Sequence, residues 1–351
     1  MLKPLVLTIT AAALLTLNGC CYLAKQGTGL LRYQSRAVSI DKTLKRGDIT
    51  PETREFLLRV LDIRAFAIDS LGLKRNKNYL SYVKVDRDYM VDVVAASRDD
   101  TFEMRKWWFP IVGSVTYKGF FDREDAEKEA RKIKKKGGYD VHIGMADAFS
   151  TLGFFSDPIY SFMAGYSVYD LASLIIHEQT HATIFIKNQT QLSEETATFV
   201  GDAGGLLYVK ERFGEDSEQY RAAVLSKEDY TTYIGLMRNL YNELRELYKS
   251  DSGREYKLAE KERMFANFRA RVTDSYDSLF RTPRYEGLKQ AKLNNAVIAV
   301  RMTYNLDMSL FNELYESRGN DLAATVKELK GLAKVKKNHK DYIRGLIRHS
   351  H

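Results

Sequence analysis

Cysteine, proline and histidine are all scarce in this sequence. Only two of the 351 residues are cysteines, Cys20 and Cys21, and both lie near the start. The remaining chain therefore has no disulfide framework and no thiolate metal site. Five prolines and the lack of a long polar tract exclude extended disorder. Charge of one sign does not dominate, since 54 Lys+Arg face 46 Asp+Glu, a net of +8. The excess collects in Arg131–Gly138 and after Lys327. Such runs can meet anionic lipid head groups, but they read first as solvated helix faces. There is no helix-turn-helix pattern, zinc-finger spacing or aromatic RNA-binding signature, so no nucleic acid partner is expected. No protein partner is legible either. What is present suits a folded body: 44% hydrophobic and 28% charged residues supply a core and a surface.

The start reads "MLKPLVLTITAAALLTLNGCC". One early lysine, an apolar stretch from Leu5 to Leu17 and small residues before cysteine have the layout of a secretory signal peptide. A membrane span needs about 20 apolar residues, and this stretch is shorter. "LNGC" looks like a bacterial lipobox, with cleavage before a lipid-modified Cys20; the Cys21 register would put Asn18 where an aliphatic residue is expected. Acyl chains there would tether the protein to a membrane. No aspartate follows the anchor, which by resemblance to Gram-negative lipoprotein sorting indicates the outer membrane, facing the periplasm. The expected organisation is a signal peptide over 1–19, a lipid-anchored tether over 20–49 and a single domain over 50–351.

Within that domain, Thr-Pro-Glu at 50–52 opens an amphipathic helix that Gly72 closes. The runs 79–85, 89–97 and 107–121 are aromatic and β-branched, as strands are. A helix over 123–137 and a strand over 139–144 follow, and from Ser167 onward nearly everything reads helical. The expected fold is α+β and predominantly helical. A small antiparallel β portion within 50–165 shares one core with a helical portion over 166–351.

The chemistry is concentrated in "LIIHEQTHATIF", Leu174–Phe185, which spells His-Glu-x-x-His. On a helix, His177 and His181 lie one turn apart on one face and can present two imidazoles to one cation. Glu178 beside them can serve a water molecule as general base without being a ligand. A strand, which the β-branched neighbours would also suit, would separate the histidines by about 13 Å and destroy the site. Catalytic zinc commonly takes three protein ligands and keeps one position open. No third histidine is near, so the completion expected is a glutamate from the returning helix. Ser193 is read as that helix's N-cap, which places both Glu194 and Glu195 in its first turn.

The stretch "LIIHEQTHATIFIKNQTQLSEETATFVG" resembles the core of the bacterial putative aminopeptidase family, predicted gluzincin-type zinc metallopeptidases that are often lipoproteins. Further blocks such as "WWFPIVGSVTYKGFFD", "FSTLGFFSDPIYS" and "NNAVIAVRMTYNLD" extend the resemblance over most of residues 30–310. It implies a zincin-like fold with an active-site helix pair, one zinc ion, peptide substrates, and Glu194 as the third ligand. Two positions depart from the family pattern: Ser193 stands for asparagine and Gly201 for an acidic residue. Thr198 and Asp202, one and two turns after Glu194, are candidates to orient the ligating imidazoles.

Zinc in such a site lowers the pKa of its water to about 7 and polarises a peptide carbonyl. Glu178 is then expected to carry the proton from water to the leaving amine. Tyr304, in a block shared with the family, is the first candidate to stabilise the oxyanion, followed by Tyr166 and Tyr169. Gly153, Phe154 and Asp157, in the loop before the metal helix, are candidates to line the substrate cleft. The aminopeptidase label comes from the resemblance alone. A lipoprotein that binds metal without catalysis, as an envelope scaffold or binding module, is the competing reading; the presence of Glu178 favours the hydrolase.

Overall fold

The computed structural model describes residues 22–109, 113–146, 156–303 and 307–348. The expected signal peptide, Cys20, Gly153, Phe154 and Tyr304 lie outside the described residues.

Part of the expected tether is folded. Helix α1 spans 22–34, followed by the strand β1 (Val38–Ser39) and the single turn α2 (Ile40–Leu44). Ile40 is fully buried, Val38 pairs with Tyr82, and the Tyr22 hydroxyl donates to the Gly119 carbonyl at 2.6 Å. β1 and α2 are too short to show a hydrophobic period.

Helix α3 (Pro51–Asp69) starts as expected. The Thr50 side chain accepts from the Thr53 amide, proline occupies the first turn, and Gly72 reverses the chain at φ +66°. Its inner face buries Leu57, Val60 and Ile63 completely, each worth roughly 1.5–3 kcal/mol.

The β portion is three small sheets, antiparallel except for one parallel pairing. β2 (Ser81–Val83) pairs antiparallel with β1 and parallel with β8 (Ile159–Tyr160). β3 (Val91–Arg98) is the centre of an antiparallel sheet, between β6 (Tyr117–Phe120) and β7 (Tyr139–Ala146). β4 (Trp107–Phe109) and β5 (Gly113–Val115) pair only with each other. The run 79–85 is shortened at its start by Tyr79, whose φ of +56° is not a strand conformation and whose amide donates to the Asp157 carbonyl at 2.6 Å. Helix α4 (Arg123–Lys134) covers one face of the β3 sheet, and α9 (Asn295–Thr303) lies on the same sheet from the helical side.

The helical portion continues with α5 (Val168–Thr183), α6 (Thr190–Phe213), α7 (Glu218–Lys249), α8 (Arg254–Leu279), α10 (Ser309–Ser317), α11 (Leu322–Leu329) and α12 (His339–Arg348). One core joins α3, β2, β8, α5, α6 and the three last helices. A second cluster fills the space between α7 and α8. Among the described residues no helix is long and apolar enough to cross a membrane.

Candidate metal centre

The His-Glu-x-x-His segment is helical despite its β-branched neighbours. Those side chains lower helix propensity by only tenths of a kcal/mol, whereas Ile175 and Ile176 are fully buried in the shared core. Ser167 caps α5 by accepting from the Asp170 amide. The chain then turns through Asn188, whose φ is +59°, and returns as α6. That turn starts α6 earlier than the sequence suggests: Gln189 is the N-cap, and the Ser193 amide already donates to the Gln189 carbonyl at 2.9 Å. Ser193 is therefore inside the helix, and its hydroxyl donates to the Ile186 carbonyl at 3.4 Å.

Successive residues of a helix point about 100° apart, so the two glutamates face different neighbours. Glu194 faces the histidines; Glu195 is 1% exposed, accepts from Gln191 Nε2 at 3.0 Å, and has Lys340 of α12 at 3.9 Å. The Nε2 atoms of His177 and His181 are 3.0 Å apart. Glu194 oxygens lie 3.7 Å from His177 Nε2 and 3.5 Å from His181 Nε2. Tetrahedral ligands at 2.0–2.1 Å from zinc stand about 3.3 Å from one another, so this donor set fits the ion within a few tenths of an ångström. Among the described residues it is the one His/Cys/Asp/Glu group able to hold a metal ion.

The ionisable groups of the cluster are shifted in different directions. Burial, with the neighbouring His181, pushes His177 down to about 4, so it is neutral at pH 7. The hydrogen bond with His181 holds Glu194 below the usual carboxylate range. Burial alone would lower His181, but Glu194 outweighs it and raises its pKa. Glu178 is raised to about 6 by burial foremost, with Asp157 and Glu194 adding to the rise against the opposing effect of His181.

Gly201 acquires a structural reason. A Cβ there would lie 2.8 Å from the Ser173 carbonyl oxygen and 3.0 Å from His177 Cβ. One turn on, a Cβ on Gly205 would collide with the Ser173 side chain. The two glycines let α6 touch the backbone of α5 beside the first histidine, and no acidic side chain fits at 201.

The other candidates divide. Thr198 and Asp202 make no hydrogen bond to either imidazole among the described residues; the Asp202 carboxyl faces Tyr169, Tyr230 and Lys227 instead. Tyr169 packs at Gly205, about 12 Å along α5 from His177. Tyr166 packs near Phe162, with ring centroids 6.3 Å apart. Asp157 lies near the general-base candidate, close enough to raise the pKa of Glu178, and its amide donates to Asn78 Oδ1 at 3.3 Å.

Tyr79 is the residue sequence reasoning missed. It is 4% exposed, and burial with the nearby charges of Glu178 and Asp157 holds its hydroxyl protonated far above neutral pH. Nothing in "NKNYLSY" signals this, because the left-handed backbone and the contact with residue 157 arise only in the fold.

No curated protein and no solved structure matches this chain. Residues 21–343 match the family model described as putative aminopeptidase. Since the match spans nearly all of the 351 residues, the chain belongs to the putative aminopeptidase family.

Proposed function

We propose that the protein is a gluzincin-type zinc peptidase, exported as a lipoprotein acylated on Cys20 and held at the outer membrane facing the periplasm. The observation that carries the peptidase reading is the convergence of His177, His181 and Glu194 with Glu178 adjacent on the same helix. Zinc supplies a Lewis acid that polarises the peptide carbonyl and makes water acidic enough to lose a proton near neutral pH. His177, His181 and ionised Glu194 would hold it, His181 giving up its proton to do so. Glu178, raised to about 6 by its burial, is matched to take a proton from water and return it to the leaving amine. Tyr79, protonated throughout the working range, can donate to the developing oxyanion. Asp157 offers the carboxylate that a free N-terminal amine would need, which supports release of N-terminal residues.

Metal analysis of the purified protein beside Glu194→Ala tests the ligand set: zinc is expected in the wild type and is lost from the variant. Full occupancy in the variant would remove Glu194 from the site. Cleavage of a peptide library tests catalysis. Glu178→Gln should lower the rate by about 10²–10⁴ while zinc is retained. Equal cleavage by both proteins would sink the peptidase reading.

A further inference from the structure

Arg64 is the misfit of α3. Val60, Ile63 and Ala67 around it are apolar and fully buried, yet Arg64 is itself only 6% exposed. A guanidinium keeps its charge at any ordinary pH, and burying it without an opposite charge is costly. Among the described residues its hydrogen bonds go to no carboxylate. Nε donates to the Asn78 carbonyl at 2.7 Å, and Nη2 donates to the Asn76 carbonyl at 2.9 Å. An apolar side chain would fill this place in the helix without the cost of a buried charge. The reason for the charge therefore lies in what it holds.

What it holds is the approach to Tyr79. Residues 72–80 form no helix or strand, so the segment keeps its shape only through its surroundings. Near its start the Lys74 amide donates at 2.9 Å to Thr183 Oγ1, on the last residue of α5 and two residues past His181. In the middle the Asn78 amide donates to Asn76 Oδ1 at 3.0 Å. Near its end Asn78 Oδ1 accepts from the Asp157 amide at 3.3 Å, and the Tyr79 amide donates to the Asp157 carbonyl at 2.6 Å.

The Asn78 carbonyl and the Tyr79 amide belong to one peptide unit. Arg64 grips that unit at its oxygen and Asp157 grips it at its nitrogen. A planar unit fixed at both atoms cannot swivel, and its orientation sets where the next side chain starts. The second bond of the rigid guanidinium fork, to Asn76, stops the segment from sliding. Such restraint is what Tyr79 needs. Its φ of +56° is a conformation that a bulky residue keeps only where its surroundings impose it.

We propose that Arg64 is a positioning residue of the candidate active site: by fixing the Asn78–Tyr79 peptide unit it aims the Tyr79 hydroxyl at the developing oxyanion. This rests on the peptidase reading and on the donor role given there to Tyr79, and each of the three fails with its own signature.

The test uses the zinc-loaded full chain and the fastest-cleaved peptide of the library. Lysine keeps the charge but not the fork, so Arg64→Lys should retain zinc while kcat falls about tenfold to a hundredfold. Tyr79→Phe removes the donor itself and should lower kcat by about 10²–10³. If Arg64 acts through Tyr79, the losses do not multiply, and Arg64→Lys in the Tyr79→Phe background should change kcat by less than about twofold. Hydrogen exchange should quicken at the Tyr79 amide in Arg64→Lys and stay unchanged along α5. Asn78→Ala loosens residue 78 from Asp157 without touching α3. It should show the same dependence on the Tyr79 hydroxyl, and it carries the test if Arg64→Lys does not fold. Losses that multiply, or a Tyr79 amide as protected in Arg64→Lys as in the wild type, would overturn the proposal while the peptidase reading stands. Tyr79→Phe at the full wild-type rate would overturn it through the donor. No cleavage by the zinc-loaded wild type would sink the peptidase reading and the role of Arg64 with it.

Discussion

Two helix pairs in this molecule are joined by opposite means. Where α5 meets α6, Gly201 and Gly205 remove side chains from the contact, and main-chain atoms of α5 fill the space a Cβ would take. Where α7 meets α8, large side chains do the filling. Tyr233, Met237, Leu240 and Leu244 face Phe265, Phe268, Val272 and Tyr276, and Tyr285 stacks on Tyr233 at 4.7 Å. Side chains can change rotamer when a neighbour is altered, whereas backbone against backbone cannot yield without moving a helix. The candidate metal ligands are on the pair that cannot yield. His177 Cβ is itself one of the atoms that would meet a Cβ on Gly201, so helix spacing and ligand placement are one constraint.

If the pairs are as distinct as this, damage to one should leave the other's property intact. The largest effect on stability is expected from Phe268→Ala, 1% exposed in the wild type, at about 3–5 kcal/mol by chemical denaturation, with zinc content and affinity unchanged. Loss of zinc there would show that the two pairs act as one mechanical unit.

Asp202→Asn probes the face of α6 turned towards Tyr169, Tyr230 and Lys227. Burial foremost, helped by Asp170 and opposed by Lys227, raises the Asp202 carboxyl from 3.8 to about 6. The folded state binds that proton more tightly than the unfolded chain, so the contribution favours folding below pH 4 and is lost as pH rises through about 6. Asparagine does not ionise. The variant should therefore gain on the wild type between pH 4 and pH 8, by at most about 3 kcal/mol. Melting curves at both pH values check this; a constant gap would mean the carboxylate has a partner that compensates its burial.

Gly201→Ala should cost about 1–3 kcal/mol and loosen zinc tenfold or more, measured by competition with a chelator. Gly235, in the middle of α7, has open space where its Cβ would be. Gly235→Ala should consequently stabilise by about 0.5–1 kcal/mol without changing zinc affinity. If both alanines had the same sign, close approach would not be what distinguishes the α5–α6 contact.

Local features were the readable ones. The helix start at Thr50, the turn at Gly72 and the one-turn spacing of His177 and His181 depend on residues within a few positions of one another. The same locality explains the misreadings. Ser193 resembles an N-cap, but the left-handed turn at Asn188 starts α6 at Thr190. Residues 79–85 resemble a strand, but Tyr79 is bound to residue 157, distant in sequence.

By itself the sequence determined that two imidazoles and a carboxylate share one helix, because helical periodicity is a property of neighbours along the chain. Tertiary structure alone decided that Glu194 and not Glu195 faces them, that Gly201 is required for contact and not a lost acid, and that Tyr79 stands by Glu178. Each of those outcomes depends on which side of one element is turned to another. That orientation is set by burial across the whole core, and no short stretch of sequence contains it.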